Sequence, residues 1–61
     1  MWYIYNSHGI IVVTCSGEPD ADDLATRGEH AFYSPEAYDL GWRVVFDDDG
    51  NPIGAVPPQE D

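Results

Sequence analysis

The sequence predicts an α+β domain: a small, mostly antiparallel β-sheet in the order ββαβββ, with one short helix packed on one face. Three observations carry this. Aromatic and β-branched residues gather in runs of strand length, Trp2–Tyr5, Ile10–Cys15 and Trp42–Phe46 among them. Turn residues separate the runs. Between the second and third runs lies a segment that opens with Pro and Asp and closes on Gly, the pattern of a capped helix.

Trp2–Tyr5, the turn Asn6-Ser7-His8-Gly9 and Ile10–Cys15 read as an opening hairpin. The second run is apolar at every position from Ile10 to Val13. This predicts either a central strand covered on both sides or a face used in association. Ser16-Gly17-Glu18-Pro19 ends the strand. Pro19 suits the first turn of a helix, Asp20, Asp22 and Asp23 complement the positive end of its dipole, and Gly28 suits its C-terminal cap. The helix expected over Pro19–Arg27 is too short to stand alone and must dock through Leu24.

Glu29–Tyr33 reads as a third strand, and Ser34–Asp39 as a turn or a single helical turn. Gly41 resets the chain. Trp42, Val44 and Phe46 then alternate on one face of a half-buried strand. Asp47-Asp48-Asp49-Gly50-Asn51 is a hairpin loop, because Asp-Gly and Gly-Asn favour positive φ. Pro52–Val56 returns as a short strand whose opening Pro needs no donor. We thus expect one α+β domain over residues 1–56 and a structureless acidic tail over residues 57–61, with no internal repeat.

Charge narrows the function. Twelve acidic residues face only Arg27 and Arg43, for a formal net charge of −10. Contact with nucleic acid or with an anionic membrane would need the lysines and arginines this chain lacks. With a single cysteine, Cys15, no intrachain disulfide is available, and no Cys/His spacing suggests zinc. No run is long enough to span a bilayer, and Met1-Trp2-Tyr3 lacks the features of a signal peptide, so the expected compartment is a cytoplasm.

Catalytic and metal-binding patterns are weak. If Gly50 were the sixth position of a calcium loop, the first and twelfth would be Val45 and Val56, which offer no side-chain ligand. His8 and His30 lack partners at ligand spacing, and no GxSxG nucleophile elbow occurs. We expect a non-enzymatic protein with no cofactor and no metal. The carboxylates fit better as a surface, with Asp20, Asp22 and Asp23 in one cluster, Asp47, Asp48 and Asp49 in a second, and Glu36 and Asp39 between them. Carboxylates at such spacing resemble the phosphates of a DNA strand. A basic groove would attract them by long-range steering that salt weakens. Tyr and Trp supply hot-spot residues for the same interface.

In size and charge the whole chain resembles the small acidic anti-CRISPR proteins of bacteriophages that imitate DNA. That resemblance implies action in the host bacterial cytoplasm. The partner would be the basic, DNA-reading surface of a nucleic-acid-binding complex such as a type I CRISPR effector, whose target-DNA recognition is blocked. The protein itself would be a monomer or a weak homodimer. Gly17-Glu18-Pro19-Asp20 through Arg27-Gly28-Glu29, placed after a hairpin, also looks like short phage proteins of tail-fibre role. This keeps a structural or assembly module of a phage particle as the alternative.

Overall fold

The protein is described as a computed structural model over residues 1–58; the rest of the expected tail, residues 59–61, lies outside the described residues. Five strands and one helix follow in the expected order: β1 Trp2–Tyr5, β2 Ile11–Cys15, α1 Ala21–Thr26, β3 His30–Tyr33, β4 Arg43–Phe46 and β5 Pro52–Val56. The fold is a small α+β fold with antiparallel pairing throughout the described strands. The strands nevertheless form two sheets, β2-β1-β3 and β4-β5. A single bridge, Ile10↔Arg43, joins them. Beside it, the Ile11 amide donates to the Trp42 carbonyl at 2.9 Å and the Gly41 amide to the Ile11 carbonyl at 2.8 Å. Ile11 is therefore the corner where one sheet gives way to the other.

The central strand is β1, not the apolar β2. Beyond Ile11, β2 is an edge, and Val12 and Val13 remain 37% and 44% exposed. A register shift between Ile4 and Tyr5 accommodates Val12 as an extra residue in β2. Such a bulge bends the strand, and here it falls at the corner. Of the two expectations for this run, coverage on both sides is overturned.

Both hairpins are built alike. In the first, the Asn6 Oδ1 accepts from the amides of His8 and Ile10, and the Gly9 amide donates to the Asn6 carbonyl. In the second, the Asp47 Oδ1 accepts from the amides of Asp49 and Asn51, and the Gly50 amide donates to the Asp47 carbonyl. Gly9 and Gly50 have φ of 75° and 84°, a left-handed conformation that a β-carbon would strain. The pairs Trp2↔Cys15, Tyr3↔Thr14, Ile4↔Val13 and Tyr5↔Ile11 recur as Arg43↔Val56, Val44↔Ala55, Val45↔Gly54 and Phe46↔Pro52, with the same bulge. Every residue is offset by the same amount, so the chain does contain a repeat: one hairpin unit used twice.

Side-chain alternation sends Tyr3, Tyr5 and Phe32 to one face of the three-stranded sheet, where β4 and β5 cover them. Tyr3, Ile11, Phe32 and Val44 form the core there, with Tyr5, Tyr38, Trp42 and Ala55 packed around it. The Tyr3 ring lies 5.6 Å from Phe32 and 5.0 Å from Tyr38. The segment from Ser34 to Trp42 contains no helical turn; it is an irregular strap whose polar groups the core satisfies. The Tyr3 hydroxyl donates to the Glu36 carbonyl at 2.6 Å and accepts from the Tyr38 amide at 3.0 Å.

Helix α1 crosses the other face. β2 and β3 flank β1, so the connection between them must pass over β1, on the side that β4 and β5 leave free. Ile4 points to that side and is buried, as is Leu24, the one buried residue of the helix. Pro19 stays outside the helix, because the Asp20 side chain accepts from the Asp22 amide and caps it at Ala21. At the other end the Gly28 amide bonds the Ala25 carbonyl and the Glu29 amide the Leu24 carbonyl, with Gly28 at φ 70°. This Schellman motif takes up the Glu29 amide and delays β3 to His30.

Replacing Tyr3 by Phe keeps the packing but leaves the Tyr38 amide and the Glu36 carbonyl without their buried partner. We expect a loss of about 2–6 kcal/mol in chemical denaturation, from ~1–3 kcal/mol for each stranded group. Burial raises the Tyr5 hydroxyl above its ordinary value of 10.0. The folded state therefore holds this proton more tightly than the unfolded chain. The stabilisation is complete below pH 10 and is lost as pH rises from there through the folded value. Stability measured by denaturation should fall less steeply above that pH in Tyr5→Phe than in the parent.

Candidate functional site

All eight carboxylates expected to meet a partner are exposed: Asp20, Asp22, Asp23, Glu36, Asp39, Asp47, Asp48 and Asp49. They are not equivalent. Asp20 is engaged as the helix cap, and Asp47 closes the second hairpin through two amides. Asp22, Asp23, Asp48, Asp49, Glu36 and Asp39 have side chains without a hydrogen-bond partner among the described residues. These six are free to meet a ligand at no cost in internal bonds.

Cation partners within the protein are scarce. The Arg27 Nε donates to Glu29 at 3.1 Å in an exposed pair, and Arg43 is exposed with no carboxylate partner among the described residues. The negative surface is thus almost uncompensated, and at this exposure its field extends outward to about a Debye length, roughly 8 Å at physiological salt.

Strand directions fix where the clusters lie. β4 runs past Gly9, so Phe46 packs on Tyr5 at 5.6 Å and the tip carrying Asp47, Asp48 and Asp49 lies beyond the β1–β2 turn. The helix begins after β2 has ended at Cys15, opposite Trp2, at the other end of the sheet. It also lies on the other face. The two clusters are consequently not brought together, and a flat partner could engage only one at a time. Glu36 and Asp39 ride on the strap, on the same face as β4 and β5.

The repeated hairpin explains what the tip acids do. Position one of the turn needs a side-chain oxygen, and Asn6 supplies it as well as Asp47. Positions two and three are Ser7 and His8 in the first hairpin and Asp48 and Asp49 in the second. Turn geometry is served equally by both sets, so the charge of Asp48 and Asp49 is not required by the fold. The sequence shows this in the pair Tyr5-Asn6-Ser7-His8-Gly9 and Phe46-Asp47-Asp48-Asp49-Gly50.

Among the described residues, no group of three or more His, Cys, Asp or Glu converges on a point that could hold a metal ion, and no cavity opens. No described helix is long and apolar enough to cross a membrane. Comparison with protein families, characterised proteins and solved structures finds no match for the chain.

One group escaped sequence reading. Trp2 and Tyr33 face each other across β1 and β3, with ring centroids 5.8 Å apart, and Tyr33 is 61% exposed. Trp2 and Tyr3 alternate along β1, and which of them lies on the open face depends on where the second hairpin folds.

Replacement of Asp20 or Asp47 by Ala should lower stability by about 0.5–2 kcal/mol, the usual cost of a lost cap, whereas Asp48→Asn should stay within ~0.5 kcal/mol of the parent. Urea denaturation of the three variants checks this division between structural and free carboxylates.

Proposed function

We propose that the protein is a non-enzymatic binder of a basic surface, acting as an acidic decoy for the DNA-reading face of a host nucleic-acid-binding complex of the CRISPR-effector kind. The observation that supports this reading most is the set of free, exposed carboxylates. Asp48 and Asp49 carry charge that the fold does not use, and Asp22 and Asp23, which complement the helix dipole, have side chains without a hydrogen-bond partner among the described residues, on a chain of net charge −10. Uncompensated like charge opposes compaction, and the presence of Asp48 and Asp49 at turn positions that Ser7 and His8 fill equally well supports a role outside the fold. In this reading the carboxylates substitute for phosphates in a groove lined by Lys and Arg, and compete with DNA for it.

A second reading, an assembly module of a phage particle, is favoured by a different observation. The free edges of β2 and β5 carry exposed Val12, Val13, Ile53 and Val56. Open apolar edges are templates for pairing with another strand. The two readings differ in their response to salt: carboxylate docking weakens as salt screens it, and edge pairing does not.

The test is capture of partners from a phage-host lysate on the tagged full chain, eluted with increasing salt. We expect a nucleic-acid-binding complex that is shed at high salt. Asp22→Lys with Asp23→Lys, or Asp48→Lys with Asp49→Lys, should abolish its recovery, because the two clusters occupy different faces and only one can dock. Full recovery with both reversed pairs combined, in a folded variant, would sink the decoy. A salt-resistant oligomer, or virion components held at high salt, would establish the assembly module instead.

A further inference from the structure

We infer that the exposed end of the helix-bearing sheet face, built on Trp2 and Tyr33, is the docking surface for an arginine-bearing segment of the partner. The inference rests on the acidic-binder reading and chooses between its two faces. Register puts Cys15, Trp2 and Tyr33 side by side at one end of the three-stranded sheet. Their side chains point to the face that α1 crosses. A helix of six residues is about 9 Å long, enough to cover Ile4 and Ala31 but not the full breadth of a three-stranded sheet. Tyr33 is left 61% exposed and Trp2 half-buried.

Charge complementarity names the occupant. Glu18 lies three residues beyond Cys15, within about 10 Å of chain reach, and Asp20, Asp22 and Asp23 follow at the start of α1, the helix that crosses this face. Both basic side chains lie elsewhere, Arg27 at the far end of the helix beside Glu29 and Arg43 on the second hairpin, and the Met1 ammonium at this end is engaged by the Ser34 carbonyl at 3.1 Å. A second copy of this chain would bring the same acids against themselves. A cation is attracted both by the electron-rich faces of Trp and Tyr and by the carboxylates around them. Arginine fits better than lysine: its planar guanidinium stacks on a ring while its N–H groups reach a carboxylate at the edge, and it is more weakly hydrated than an ammonium.

The experiment titrates the full-length protein with oligoarginine and with oligolysine of equal length at low salt. It follows the Trp2 indole N–H by NMR alongside the backbone amides. Tyr33→Val keeps a strand-forming residue without a ring, and Trp2→Leu keeps apolar bulk. The parent should bind oligoarginine about twofold more tightly than oligolysine, a part of what an exposed cation–π contact gives, because the guanidinium stacks better and is more weakly hydrated. Shifts should centre on Trp2, Tyr33 and the helix start. Each variant, folded by its amide spectrum, should lose most of that preference. Equal binding of the two peptides by the parent, or a preference that survives in both variants, would overturn the aromatic dock while leaving the acidic binder standing. Failure of both peptides to bind would overturn both readings.

Discussion

A single buried phenol holds the two halves of this molecule together. Tyr3 sits on the central strand, 1% exposed, with its ring between Phe32 and Tyr38 and its hydroxyl between the Glu36 carbonyl and the Tyr38 amide. The strap from Ser34 to Trp42 forms no ladder of its own, so its backbone groups need partners from elsewhere. Tyr3 supplies two of them at the middle of the strap. Ser34 anchors one end to Met1, and the Gly41 amide anchors the other to Ile11. The position of the strap in turn fixes where β4 starts, and hence how the second hairpin lies on the first. A chain of this size has little core to spare, which gives one well-placed polar atom unusual leverage over the tertiary arrangement.

Local chemistry was legible in the sequence wherever the signal was contained in a few neighbouring residues. Gly28 as a helix cap, the Asp47–Asn51 turn and the Pro52–Val56 strand all depend on contacts within about five positions. The misreadings share one cause, which is competition settled at a distance. Apolar Ile10–Val13 suggested a central strand, yet β1 took that place because only Tyr3 and Ile4 could be covered on both faces at once. Pro19 has the right φ for a helix start, but Asp20 offers a side-chain oxygen to the Asp22 amide, and the oxygen decides. One continuous sheet was the simplest arrangement of five strands; the bulge at Val12 turned β2 away, so that only Ile10 bridges to β4.

The duplicated hairpin was the deepest feature missed, because it is a repeat of geometry more than of letters. Only the aromatic, the Asn or Asp that follows it and the Gly three residues later are shared between the two copies in kind. Those three positions are the ones the turn constrains: a ring to pack, an oxygen to accept two amides, and a residue free to adopt positive φ. The remaining positions are open to divergence, and the divergence is informative. In one copy the open turn positions carry Ser7 and His8, and in the other two aspartates.

The candidate site was legible as composition and illegible as arrangement. Eight acids could be named from the sequence, but their division into structural and free groups required knowing which oxygens face amides. Their division between two faces required knowing that β2 and β3 flank β1, since that forces the helix onto the side opposite the second hairpin. This arrangement bears on mechanism. A DNA duplex presents phosphates along two continuous backbones, and a domain with acids on opposite faces can imitate at most one short stretch at a time. Affinity from so few charges would be modest and steeply salt-dependent unless an apolar anchor adds to it. Trp2 and Tyr33 lie beside one of the two clusters and Phe46 beside the other. Phe46, packed on Tyr5, is 42% exposed, whereas Tyr33, packed on Trp2, is 61% exposed. The helix-bearing face therefore combines free charge with the more exposed aromatic surface, and the hairpin tip pairs its charge with less of it.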